Sequence, residues 1–569
     1  MGGNLVKIGI YDRYLDTAGG GERYSCKMAE ILSKQPGYRV ELISDIFADI
    51  KKVESRLNLD LSKVSLKIFP FLSEEYAKKV TSSYDIFINC TYLSSLSGYG
   101  KRNIYLCYFP TAFDVDFKFI HRFLLLFFRK PAIWLYRMAE RVSGSHKNIE
   151  VREGVYDIKR FFLLRGSWTS GNAVMYYSNA KNSVNIAVKN PVTSGMKKMQ
   201  CRITLSYAGK NGINEEEERA HGNSPDNAEI IFSREIELSL GTVEEINIPV
   251  AQKFREQLLE LKINSGTFMP GRAQDGKRDT RILGAVIYNR QKINPLKKIL
   301  LKFVGFIPLF LVTFPKDLSF LDTYDRIISI SQYSRKHIEK SWKKQSTILF
   351  PPVDTEDFSP SKKQKIILSV GRFFPEHHNK KQLELAKNFM ELYEEYPETM
   401  SDYELYLAGG VENKPSHLAY VEEIKKTSSG YPVKVLTNLE WEELVDLFSR
   451  AQIFWHAAGM GEDEGSHPEK FEHFGITTVE AMASGCIPVV INRGGQSEII
   501  ENGFNGFLFD TWEQLKALTL DICRHAGTGS VFINMKDNAL KGAEKFSSAR
   551  FTEKLLEIIM GELKQINNP

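Results

Sequence analysis

Cysteine is scarce in this chain: Cys26, Cys90, Cys107, Cys201, Cys486 and Cys523 are the six in 569 residues. None is spaced as CxxC, which argues against a disulfide framework or a thiolate zinc site and fits a reducing cytoplasm. An unbroken apolar run of about 18 residues is missing, so no membrane-spanning helix is predicted. Two stretches come near it. Phe123 to Val142 is broken by Arg129, Lys130 and Pro131, and Leu296 to Phe314 carries Lys297, Lys298, Lys302 and Pro308. Basic residues beside apolar ones suit a membrane surface with anionic lipids; the alternative is that both stretches are core helices of the first domain. Excess charge of one sign is also missing. With 75 basic and 70 acidic residues, the net +5 demands no nucleic-acid partner. The strand-like VKIGIY starts at Val6 and leaves no room for a signal peptide, and Val6 stands where a myristoylation start needs Ser or Thr. The expectation is a cytoplasmic protein, peripheral on the inner face of a membrane.

What is present is enough for several cores. A chain this long predicts about two to four domains, and 43% hydrophobic with 25% charged residues is a globular composition. Val6 to Tyr11 reads as a strand, Gly19-Gly20-Gly21 as a turn, and Tyr24, Met28, Ile31 and Leu32 recur at helical spacing. Strand, glycine loop and helix open a parallel α/β unit, and a helix start favours an anion. RVELIS, YDIFINC and RNIYLCYF follow as further strands.

From Lys147 to Ile293 the pattern changes to short alternating runs such as VNIAVKN, CRITLSY and LELKIN. Period-two alternation between polar turns predicts an antiparallel β-sandwich. Trp168, Tyr176 and Tyr177 there are core aromatics or sugar-stacking ones, and Glu215 to Glu218 is a solvated loop. The α/β pattern resumes at DRIISISQYSRKHIEK. After Pro351 and Pro352 comes KIILSVGRFF, a buried strand handing over to Gly371 and Arg372.

The stretch KFEHFGITTVEAMASGCIPVVINRGG, Lys470 to Gly495, organises the rest. It predicts a loop at Glu472, a helix opening after Gly475 with Glu480 about one turn in, a strand IPVVI and a glycine turn. Free N–H groups at a helix start suit a phosphate, and carboxylates accept hydrogen bonds from sugar hydroxyls. Arg372 and Lys380, both near a strand-to-helix handover, can neutralise a diphosphate leaving group.

This ordered stretch resembles the signature of glycosyltransferase family 4, with two Glu in an E-x-F-G…E-A-M-A setting. The resemblance extends to the Gly-Gly-x-Glu turn at Gly19 to Glu22, the S-x-Y-S segment at Ser331 to Ser334, and the Gly371-Arg372…Lys380 run. It covers about three quarters of the chain and excludes the sandwich. It implies an α/β, GT-B architecture: two Rossmann-like domains facing a cleft, with an antiparallel β-sandwich inserted in the N-terminal domain. The corresponding division is 1–146 and 294–350 for the N-terminal acceptor domain, 147–293 for the insertion, 351–545 for the donor-binding domain, and 546–569 for a helix packing back on the first domain.

The resemblance also implies a retaining transfer of a hexose from a UDP- or GDP-linked sugar, and the two basic-apolar stretches point to a glycan or lipid-linked acceptor, in cell-envelope polysaccharide or glycolipid synthesis. The departing phosphate then helps to take the acceptor proton. Glu472, Arg372 and Lys380 are the expected catalytic residues, with Lys381 the alternative register for the lysine. The expected donor site adds Gly19, Gly20, Gly21, the backbone of His473, Phe474, Gly475 and Ile476, the nucleobase loop Thr437, Asn438 and Leu439, and Glu480 on the ribose. No cofactor and no obligatory metal are expected; His377 and His378 lack a third ligand at suitable spacing. Many relatives carry a His where this chain has Cys107, in Cys107-Tyr108-Phe109-Pro110. That departure favours the alternative, a non-catalytic sugar-nucleotide or glycan-binding protein that works through its sandwich. Asp114 and Asp116 follow the triplet as further polar groups.

Overall fold

The structure is a computed structural model that describes residues 5–17, 19–44, 48–68, 74–114, 117–143, 149–156, 161, 163–178, 182–207, 229–255, 257–268, 283–290, 295–308, 310–376, 378–412, 414–525 and 530–567. Asp116, Glu215 to Glu218, His377, and both ends of the expected insertion, Lys147 and Ile293, lie outside the described residues. The chain divides into two compact units: Met1–Ile104 with Ala112–Asp325, and Tyr105–Thr111 with Arg326–Pro569.

The first unit begins with parallel strands β1 (Val6–Tyr11), β2 (Tyr38–Ser44), β3 (Ser65–Ile68) and β4 (Ile86–Asn89), ordered β3-β2-β1-β4. Ile8 and Ile10 are wholly buried, as expected where helices cover both faces of a parallel sheet. Strand β5 (Arg102–Cys107) runs from the first unit into the segment that belongs to the second.

An all-antiparallel block follows: β6 (Ile149–Val155), β7 (Ser167–Ser178), β8 (Ser183–Lys189), β9 (Lys198–Tyr207), β10 (Ile230–Ser239), β11 (Val243–Pro249), β12 (Leu258–Ser265) and β13 (Val286–Asn289). The strands β10-β9-β12-β7-β6 form one layer and β11-β8-β13 the other. Alternate residues of both, such as Ile186 and Val188 on β8 and Leu259, Leu261 and Ile263 on β12, fill one shared core. Strand β7 serves both layers. Ser167 and Trp168 pair with β13, while Asn172 to Ser178 pair with β12. Between them Gly171 adopts φ +96°, a bend that a side chain would oppose. Tyr177 lies in the core, the Tyr176 hydroxyl donates to Glu260 at 2.7 Å, and Trp168 meets Phe268 edge-on at 5.9 Å. The three aromatics are therefore packing residues.

Two helices of this unit, Phe119–Ser143 and Pro295–Val304, pack on each other through Tyr136, Ala139, Leu301 and Val304. Each is a core helix on one side only. Among the described residues no helix is long and apolar enough to cross a membrane.

The second unit holds the parallel pair β14 (Arg326–Ser329) and β15 (Thr347–Ile348). It also holds a six-stranded parallel sheet of β16 (Ile366–Val370), β17 (Glu404–Gly409), β18 (Val433–Thr437), β19 (Ile453–His456), β20 (Ile487–Ile491) and β21 (Phe507–Phe509). Its order is β18-β17-β16-β19-β20-β21, the doubly wound arrangement whose direction of growth reverses between β16 and β19. Strands β16, β19 and β20 are buried along their whole length, and Trp455 within β19 donates to Thr519 at 3.0 Å. The last helix, Ser548–Asn567, is tied to β14 by fully buried Glu562, which accepts from Arg326 at 2.6 Å.

Candidate functional site

In doubly wound sheets ligands bind beyond the carboxyl ends of the strands, where the order reverses. At that point β16 delivers Gly371 and Arg372, and β19 delivers His456. A Cβ on Gly409, at the end of β17, would run into the backbone carbonyl of Gly371, so bare backbone is what lets the two strand ends meet. Arg372 is exposed, lies 4.5 Å over the Phe374 ring, and makes no ion pair among the described residues. The Lys380 side chain crosses Gly371, with its Cγ 2.7 Å from where a Cβ would stand. Its ammonium pairs with the Glu472 carboxylate. On the other side His456 Nε2 lies 3.1 Å from the same carboxylate oxygen. Arg372, Lys380, Glu472 and His456 thus occupy one neighbourhood.

The electrostatics fix their charge states. Burial opposes ionisation of Glu472, but Lys380 and His456 outweigh it and hold the carboxyl well below its ordinary range. Burial keeps His456 neutral, against the pull of Glu472. The neutral ring donates its Nε2–H to the carboxylate, and Nδ1 is buried without a partner. Glu472 is therefore an anion at neutral pH, with its side chain 20% exposed, and it retains lone pairs for hydroxyl donors.

The loop beyond Glu472 is positioned by main chain packed on main chain. Gly495 donates its N–H to the Glu472 carbonyl at 2.7 Å, and a Cβ on Gly495 would stand 2.5 Å from Phe474 Cα. Gly494, at φ +63°, abuts the Glu472 carbonyl in the same way. His473 stacks flat on Phe109, ring centroids 4.2 Å apart and 6° from parallel. Burial first, and then His378, depress its imidazole to about 3, so it is neutral, and its Nε2 has no partner. Phe474 is buried. Gly475, at φ +119°, starts the helix Ile476–Ala483 with no side chain capping its N–H groups. Glu480 lies in the second turn, 8% exposed.

The Thr437, Asn438 and Leu439 turn sits beside the same strand ends. Asn438 donates its N–H to the Gly409 carbonyl at 3.0 Å, and its side-chain oxygen accepts from Val411 at 3.0 Å. The two candidate lysines diverge. Lys381, at φ +59°, turns its ammonium to Glu462 at 2.9 Å, away from Glu472. It lines a cavity of about 270 Å³ with Glu376, His378, Asn379, Glu462 and Lys470. Among the described residues no group of three His, Cys, Asp or Glu could hold a metal ion.

Gly19, Gly20 and Gly21 open the helix Gly20–Ser33 in the first unit, and the Glu22 carboxylate accepts the Gly19 N–H at 2.7 Å. Cys107 is 3% exposed, and burial pushes its thiol well up, so the group at this position is neutral and packed.

Sequence reasoning assigned no role to His456, although a lone imidazole ending an apolar strand is a readable signal. It also missed Glu498, which caps the helix Gln332–Trp342 through the N–H groups of Gln332 at 2.8 Å and Tyr333 at 3.0 Å. Nothing in the local sequence signals that contact.

The family described as Glycosyl transferases group 1 matches residues 353–524. The chain is 26% identical over 269 residues to the GDP-Man:Man(3)GlcNAc(2)-PP-Dol alpha-1,2-mannosyltransferase of Dictyostelium discoideum, covering 44% of this chain and 50% of that protein. To the Xenopus laevis protein of the same name it is 30% identical over 247 residues, covering 41% and 48%. Among solved structures, Anabaena Alr3699/HepE in complex with UDP aligns over 98% of this chain and 100% of that one, with 10% identity and a TM-score of 0.48. The chain thus spans about half the length of the curated relatives it matches, and the match to the glycosyl transferase group 1 family falls on the segment that carries Arg372, Lys380, His456 and Glu472.

Proposed function

We propose that this protein is a retaining glycosyltransferase of the GT-B, family 4 kind that moves a hexose from a nucleotide-diphosphate sugar to a lipid-linked glycan. The observation that carries the reading is the ionised Glu472, held between Lys380 and His456 at the reversal point of the second unit's sheet, beside the unpaired Arg372. A nucleotide-diphosphate sugar has two parts that ask for opposite groups. Its phosphates need cations and helix-start N–H groups, and its sugar hydroxyls need acceptors.

In this reading Arg372 and Lys380 take the diphosphate and stabilise the charge that grows on it as the glycosidic bond breaks. Glu472 accepts from sugar hydroxyls, and His456 orients it. The uncapped N–H groups after Gly475 and the backbone from His473 to Ile476 line the sugar-phosphate. Glu480 serves the ribose, and the Thr437 to Leu439 turn serves the base. A front-face substitution lets the departing phosphate take the acceptor proton, so Cys107 need not act as a base. The names of the matched relatives make GDP-mannose the first donor to try and a pyrophosphate-linked lipid oligosaccharide the first acceptor.

The experiment is GDP release from GDP-mannose with and without a lipid-pyrophosphate oligosaccharide, followed by NMR of the new anomeric centre. Acceptor-dependent release with the α configuration kept is the expected result. Tight binding of nucleotide sugars without release, across a panel of GDP- and UDP-linked donors, would establish the non-catalytic binding role instead.

A further inference from the structure

The helices Phe119–Ser143 and Pro295–Val304 carry their apolar residues on the wrong side for a water-soluble surface. The face of the first helix that packs inward is mostly small: Ala132, Tyr136 and Ala139 are buried, with Leu135 half-buried beside them. Its outward face carries Phe119, Phe123, Leu126, Phe127 and Trp134, from 43% to 84% exposed. Their spacing is that of one helical stripe. The second helix repeats the arrangement. Leu301 and Val304 are wholly buried, while Leu296, Ile299, Phe303 and the following Phe306 are 58% to 77% exposed. Counting only the eight of these side chains that are more than half exposed, the uncovered apolar area is on the order of 800 Å², above the few hundred usual for a monomer.

Charge says what covers it. Along the first helix stand Arg122, Arg129, Lys130, Arg137 and Arg141 against a single acid, Glu140. The second helix has Lys297, Lys298 and Lys302 and no acid at all. Arg122 is paired with Asp114 at 3.1 Å, and Arg129 donates to the Phe314 carbonyl at 2.8 Å. The three lysines of the second helix make no ion pair among the described residues and are exposed. Aromatic and aliphatic side chains flanked by cations suit the acyl–headgroup boundary of an anionic bilayer, where a helix lies in the plane without crossing.

We propose that the outward faces of Phe119–Ser143 and Pro295–Val304 form a docking surface for an anionic phospholipid membrane. The proposal does not depend on the sugar chemistry of the second unit.

The test is co-sedimentation of the full chain with phosphatidylcholine vesicles and with vesicles containing 30% phosphatidylglycerol, the latter composition chosen as about that of an anionic membrane. The full chain should partition onto the anionic vesicles at least about tenfold better than onto neutral ones, and added salt should reverse that preference. The pair Leu126→Ser and Phe127→Ser should abolish binding to both. Lys297→Glu with Lys298→Glu should remove only the anionic preference. Val531→Ser, at a residue 60% exposed in the second unit, should change nothing. Each substituted side chain is exposed, so an unchanged circular-dichroism melt separates lost docking from lost folding. Absence of vesicle binding overturns the proposal. So does a dimer in sedimentation velocity that Phe127→Ser dissolves, since the face would then belong to a second copy. Binding unaffected by either set of substitutions overturns it too.

Discussion

Two of the glycine turns that lie between a strand and a helix, at Gly19 in the first unit and Gly475 in the second, are finished differently. At Gly19 the first unit closes the helix start on itself. The Glu22 carboxylate takes the Gly19 N–H and also accepts from Thr17 at 2.8 Å. Beneath it Asp12 is buried, holds Ser25 at 2.6 Å, and is pushed up to about 7 by burial and then by Glu22. At Gly475 the second unit leaves the helix start uncapped, and the loop before it carries a deprotonated Glu472 paired with the Lys380 ammonium. The same sequence cue, a strand, glycine and a helix, therefore marks a turn that satisfies itself and a turn whose helix-start N–H groups no side chain caps. The cue becomes informative only with the nearest carboxylate: within the first turn it caps, and before the glycine it stays available.

The largest test of that contrast is catalytic. Glu472→Gln should lower turnover by about 10²- to 10³-fold, the scale of removing one preorganised polar group from a reacting centre. Glu22→Gln should leave turnover within about threefold and cost about 1 kcal/mol of stability, as a lost cap does. Initial rates of nucleotide release and a thermal melt of each variant decide it, and equal losses of turnover would erase the distinction.

Next comes pH, where the two turns should pull in opposite directions. Asp12 has a folded value of about 7 against an ordinary 3.8. The folded form keeps a proton that the unfolded chain releases, so this contribution is full below 3.8 and lost as pH rises through about 7. His473 has a folded value of about 3 against 6.5. The unfolded chain binds its proton first, so stability is full above 6.5 and falls as pH drops toward 3. Glu472, also depressed, loses its contribution in the same acid direction. The Asp12 and His473 shifts are each worth on the order of 4 kcal/mol at their limits. Calorimetry from pH 4.5 to 8 should show the alkaline limb flattened by Asp12→Asn and the acid limb flattened by His473→Phe, which keeps the stack on Phe109.

A smaller effect separates glycines that bear contacts from glycines that only bend. Gly494→Ala sets a Cβ against the Glu472 carbonyl at φ +63° and should cost about 2–4 kcal/mol. Gly37→Ala in the first unit, at φ +81° with nothing within 4 Å, should cost about 1 kcal/mol. Urea denaturation midpoints measure both. Smallest of all, Lys381→Ala should leave kcat/KM within about threefold, whereas Lys380→Ala should lower it by about 100-fold. A reversed order would move the active lysine one residue on.

Much of this was readable from the chain. Buried parallel strands announce themselves as unbroken apolar runs, as in KIILSV before Gly371 and IPVVI before Gly494. The antiparallel block announces itself by alternation, as in LELKIN. Strand β7 was not readable, because the Ser, Thr, Gly and Asn of its first half look like a turn: the buried face there is Ser167 and Thr169, and apolar residues join it only at Ala173, Met175 and Tyr177. The Lys380 and Lys381 ambiguity could not be resolved by spacing, since a left-handed backbone at Lys381 sends the adjacent side chains apart. The Glu498 cap joins segments more than 160 residues apart, and no periodicity reports such a contact. The burial of Cys107 was readable from its place at the end of an apolar strand.

The seat of the His473 loop is made of peptide groups pressed together, with Gly494 and Gly495 supplying no side chain. Its location is consequently insensitive to which residues decorate it. On the proposed function, exchanges at His473 retune what the loop recognises while the frame stays put. Loss of either glycine would displace the frame however well the decoration were chosen, so selectivity and integrity can vary independently at this one place.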